Sequence, residues 1–120
     1  MSNKAPLTPL QFLASLEPCG EDMEIREHNL TSIAHFFDQQ ISITEEDSEL
    51  YDTAATGRHQ ARLALCAFYA VKRAHPFEES NEILNKLCVE CDTLKRHISH
   101  FFFLADRPLL GQFKIVEAAL

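Results

Sequence analysis

The sequence has no tryptophan, three glycines and five prolines in 120 residues, and no apolar run long enough to span a bilayer. Its longest such run, Leu63 to Val71, is nine residues, about half of the ~18–20 that a membrane-crossing helix needs. Gly20, Gly57 and Gly111 stand alone, so there is no glycine-rich phosphate loop and no nucleophile elbow, and no histidine-glutamate zinc-protease motif occurs. Basic residues are outnumbered, 11 Lys and Arg against 18 Asp and Glu, for a formal charge of −7. That balance repels phosphate backbones and anionic lipid and argues against nucleic acid or a membrane surface as the main partner. Arg58, Arg62, Lys72 and Arg73 are the nearest approach to a basic patch. They lie among acidic neighbours and carry no helix-turn-helix signature.

The first residues, Met1 to Pro6, are followed by neither an apolar signal core nor an Arg- and Ser-rich amphipathic stretch. A cytoplasmic protein with reduced thiols is therefore expected. The four cysteines, Cys19, Cys66, Cys88 and Cys91, sit in a chain that is 46% hydrophobic. A domain of this length buries roughly two-thirds of its unfolded surface, so it needs no disulfide scaffold.

Scarce glycine and proline, with no sustained alternation of apolar and polar residues, predict an all-α fold. We expect a small bundle of four to five helices built around a long antiparallel αα-hairpin, with residues 1–7 flexible and 8–120 forming one domain. Thr8-Pro9-Leu10-Gln11 offers a capping hydroxyl, an N1 proline and a returning glutamine, predicting a short helix that ends near Pro18 and Gly20. A second helix is predicted from Glu21 or Asp22 to Gln40, with Leu30, Ile33, Ala34, Phe37 and Ile41 as its buried stripe. The acidic run Glu45 to Glu49 lacks the ligand spacing of a calcium loop and suits a helix N-terminus. A third helix is predicted from there to about Ala74. Along it Leu50, Ala54, Gly57, Ala61, Ala64, Phe68 and Val71 make a heptad seam of small residues, with Gly57 a point where it could break.

His75-Pro76 predicts a turn and Ser80 a cap for the fourth helix, which carries the strongest periodicity: Leu84, Leu87, Cys91, Leu94, Ile98, Phe101 and Ala105. Glu82 with Lys86 and Asp92 with Arg96 predict exposed pairs on its other side. Arg107-Pro108 ends it. Leu109, Phe113, Val116 and Leu120 then recur at helical spacing in a tail that must dock on something.

Cys88, Cys91, His97 and His100 are the residue types of a tetrahedral zinc set. On one continuous helix, however, the two histidines fall about 120–180° around the axis from Cys88, so the four cannot meet at one ion. As a redox pair the cysteines lie mid-helix, away from the N-terminal dipole that lowers a thiol pKa. Cys66 and Cys91 read as core, and Cys19, between Pro18 and Gly20, as the thiol nearest solvent. His28 and His35, seven apart, are too far separated along the axis to share a metal. No cofactor is expected.

Phe101-Phe102-Phe103 cannot all lie on one narrow stripe, because successive residues project ~100° apart. Either the tail covers the excess or a second chain does. The expected function is a non-catalytic protein-interaction module, an acidic regulator or adaptor of the inhibitor, chaperone or immunity type. It would act on a partner protein with a basic surface and would itself be a homodimer. The expected interface comprises Phe102, Phe103, Leu109, Leu110, Phe113 and Val116. The alternative is a metal- or redox-active bundle using Cys88, Cys91, His97 and His100.

Overall fold

The computed structural model describes residues 8–73, 80–105 and 112–120, with the side chains of Pro9, Leu10, Ser80, Gln112 and Phe113 outside the description. Five helices follow in order, α1 (Pro9–Ser15), α2 (Met23–Ile43), α3 (Glu49–Arg73), α4 (Ser80–Leu104) and α5 (Gln112–Ala119), and the described residues contain no strand. The expectations for residues 1–7, for the turn at His75-Pro76 and for the stop at Arg107-Pro108 lie outside the described residues.

Local chemistry sets the helix starts. The Thr8 hydroxyl accepts from the Gln11 N–H (3.2 Å), while the Gln11 amide oxygen accepts from the Thr8 N–H (3.0 Å), a reciprocal box ahead of α1. Asp22 caps α2 by accepting from the N–H groups of Glu24 and Ile25. α3 begins four residues later than the acidic run suggested. Ser48 accepts from the Tyr51 N–H (3.1 Å) and leaves Glu45, Glu46 and Asp47 in the preceding turn, so a neutral hydroxyl holds the first turn.

α3 packs most extensively on α4 and next on α2, both antiparallel. Gln60 Nε2 reaches the backbone oxygen (3.0 Å) and Oε1 (3.2 Å) of Glu90 across the α3–α4 hairpin. On the other flank Arg58 meets Asp38 (3.0 Å), and Tyr69 donates to Glu27 (2.7 Å). The small-residue seam of α3 is used as patterned: Ala54, Gly57, Ala61, Ala64 and Phe68 are buried, with Leu50 and Val71 at its half-buried ends. α3 runs unbroken through Gly57, where a Cβ would lie 2.5–2.8 Å from the Phe37 ring. The glycine is a notch that receives the ring from α2, not a hinge.

Above that notch the core is aromatic. Phe12 of α1 stacks on Phe36 of α2 at 4.1 Å, and Phe102 of α4 lies parallel to Phe36 at 6.0 Å. Phe101 meets Phe36 and Phe37 edge-to-face at 5.6 and 5.5 Å. Such pairs add about 0.5–1.5 kcal/mol each beyond their burial. One cluster of buried residues joins all five helices. At its far end Val116, Ala119 and Leu120 are buried. There the Cys19 N–H donates to the Ala118 carbonyl (3.0 Å), and Asn29 Nδ2 donates to the carbonyls of Glu17 (2.7 Å) and Ala119 (3.1 Å). The end of the tail is thus intramolecular core, tied down by a buried amide.

Candidate functional site

Most of the candidate residues lie on α4, and its regular 100° rotation per residue sorts them. The inner arc, Leu87, Cys91, Leu94, Ile98, Phe101 and Phe102, is buried. That corrects the expectation for Phe102. It is fully buried, because α1 and α2 supply Phe12 and Phe36 beside the main stripe. Val116, also expected at an interface, is buried at α5's seat on the bundle. Leu109, Leu110 and the side chain of Phe113 lie outside the described residues. Of the expected interface set, Phe103 stands in solvent, 74% exposed.

The four residues of the metal or redox alternative are not brought together. α4 is continuous from Ser80 to Leu104, which sends the cysteines and histidines to different hollows. His97 and His100 border an open hollow of about 240 Å³ facing Glu49, Asp52, Thr53 and Thr56 of α3. Burial, and then the charges of His100 and Arg96, hold His97 below the ordinary imidazole range. Cys88 and Cys91 instead border a smaller, more enclosed cavity of about 100 Å³ between α2, α4 and Leu120. Among the described residues no group of three or more His, Cys, Asp or Glu is placed to hold a metal.

The thiols also redistribute relative to expectation. Cys19 is buried, because its turn is closed by the bond to Ala118 and capped by Gly20 at φ +50°. Cys66 is exposed, since the alanines beside it take the core positions of α3. Burial pushes the Cys91 thiol up to about 11, against the opposing pull of Arg26 and Lys95. It is therefore a protonated core group at neutral pH, unlike an activated nucleophile.

Asp92 pairs with Lys95 (3.4 Å), where the sequence spacing suggested Arg96. Lys95 and Arg26 were not singled out by the sequence, because their place on one hollow depends on how α2 and α4 are set against each other in the bundle.

Outward, α4 presents Leu84, Val89 and Phe103, at 46, 60 and 74% exposure. Val89, Arg96 and Phe103 recur every seven residues on one side, a stripe about 21 Å long. Among the described residues no helix is long and apolar enough to cross a membrane. Comparison with family models, curated proteins and solved structures finds no match to the chain.

Proposed function

We propose that the protein is a non-catalytic interaction module of the cytoplasm that binds a partner protein through the outward stripe of α4. The reading rests on Phe103: it is 74% exposed while its neighbours Phe101 and Phe102 are fully buried. Leaving that ring in water forgoes roughly 1.5–3 kcal/mol of burial. Aromatic and arginine side chains are the residues that most often anchor interfaces, and here Arg96 lies between Val89 and Phe103 on the same side. The net charge of −7 favours a basic partner surface and speeds encounter with it. Where that partner is a second copy of the chain, the product is a homodimer; where it is another protein, the module acts as a regulator, chaperone or immunity-type inhibitor.

The test is native mass spectrometry of the wild type beside Phe103→Asp and Val89→Asp. The wild type should appear as a dimer or with a retained protein partner, and both variants should lose that association by tenfold or more. Their thermal stability should stay within about 0.5 kcal/mol of wild type, as expected for exposed sites. A monomeric wild type with nothing retained, or association indifferent to both substitutions, overturns the proposal.

A further inference from the structure

Val89 and Phe103 lie seven residues to either side of Arg96, and the three share one side of α4 within about 40°. Leu63 of α3 is a further exposed apolar side chain. It falls about 20° around α3 from Thr56, which lines the hollow beside His97 and His100, and one turn beyond Gln60, which bonds Glu90. That sets Leu63 beside Val89, two apolar groups flanking the α3–α4 groove. Arg96 is exposed, and its guanidinium has no partner among the described residues. Toward α3, His97 and His100 open onto the hollow whose other wall carries Glu49 and Asp52, two carboxylates that likewise have no partner among the described residues. One chain therefore carries on one face both an unpaired cation and unpaired anions, and both an aromatic anchor and an apolar shelf to receive it.

We propose that a second copy of the chain docks on this face, its α4 antiparallel to the first, about a two-fold axis at Arg96. The proposal rests on the reading of the α4 stripe as an interface and names its occupant. A two-fold interface must be self-complementary, and the equal spacing about Arg96 supplies that property: Phe103 of each copy meets Val89 and Leu63 of the other. Each central guanidinium turns aside into the other copy's hollow, between Glu49 and Asp52, instead of facing its own counterpart. The open hollow of about 240 Å³ admits a guanidinium, and His97, held below the ordinary imidazole range, adds no competing charge there at neutral pH. Chains of net charge −7 repel one another. They approach where opposite charges interleave, and the penalty for like charges in any other register fixes this one.

Sedimentation equilibrium of the full chain over a dilution series reads the subunit count. The wild type should form a reversible dimer. Arg96→Glu, and separately the pair Glu49→Lys with Asp52→Lys, should each weaken self-association by about tenfold or more, because each sets like charges together. Mixing these two variants should restore association to near the wild-type level, since in the mixed dimer both charge pairs are again of opposite sign. A merely structural effect of the substitutions is not repaired by mixing. In isotope-filtered NMR of labelled and unlabelled wild type mixed together, the Phe103 ring of one copy should contact the Val89 and Leu63 methyls of the other, and this arm needs no variant to fold. A monomeric wild type that retains another protein through Phe103 overturns the two-fold and leaves the interface reading standing; a monomer that retains nothing overturns both. A dimer indifferent to Arg96→Glu, not restored by mixing, or lacking the Phe103 contacts also overturns the two-fold.

Discussion

The two ends of the bundle reach similar burial by opposite chemistry. Where α1 meets the C-terminal halves of α2 and α4, five phenylalanines interlock without a polar atom among their side chains. Where α5 meets the N-terminal part of α2, the apolar contribution is small, Val116, Ala119 and Leu120, and Asn29 holds two backbone carbonyls. The aromatic end gains stability from area and ring geometry. The amide end gains little area and depends on direction: one side chain donates to two carbonyls, that of Ala119 in a buried bond and that of Glu17 in a half-buried one.

The largest test of that contrast is Phe36→Ala, which removes the ring that contacts all four others. It should cost about 3–5 kcal/mol in denaturant unfolding and lower amide protection throughout the chain. Asn29→Ala should cost less, about 1–3 kcal/mol, and act locally, with protection in α5 lost well before that of α3 and α4. A uniform loss across the molecule would show that the two ends are one cooperative unit.

Gly57→Ala probes the join between the aromatic core and the α3 seam. The gain of about 1 kcal/mol in helix propensity is outweighed by overpacking against the Phe37 ring, for a net loss of about 1–2 kcal/mol. Adding Phe37→Leu to Gly57→Ala should cost less than Phe37→Leu costs alone, because the two sites are coupled. Strict additivity would mean that the ring does not press on the glycine.

The smallest effect is that of His97. Its pKa is held below the usual value of about 6.5, so the unfolded chain binds the proton more readily than the folded one. The stability tied to this group is present above pH ~6.5 and is lost as pH falls through the lower folded pKa. His97→Gln should flatten the acid side of the stability profile. An unchanged slope would move that proton linkage to another group.

What the sequence made legible follows from its periodicities. The α4 stripe, the α3 small-residue seam and the Thr8–Gln11 box are local patterns, each read from residues three or four apart; the box and the seam are used as patterned, and the α4 stripe is buried from Leu87 to Phe101 but not at Leu84, which is 46% exposed at the first turns of the helix. Phe36 and Phe102 escaped that reading because α2 and α4 each bury an arc wider than one stripe, and the extra width comes from α1. Cys19, Asn29, Arg26 and Lys95 take their roles from distant chain segments, up to 99 residues away for the Cys19–Ala118 bond. A short-range pattern carries no trace of such a meeting. The outward Val89–Phe103 stripe was half legible: the run of three phenylalanines announced a surplus, but which ring would be left outside depended on how the helices are rotated against one another.

The Asn29 bond to the Ala119 carbonyl joins residues 90 apart in the chain, whereas the α2–α3 and α3–α4 hairpins join neighbouring segments. Loop-closure entropy makes the hairpins early events and the docking of α5 a late one. During synthesis, too, the chain up to α4 is assembled before the residues that close this end exist. Asn29 therefore acts as a latch at the close of folding, and the groove that α5 fills stays open to water until the last helix arrives.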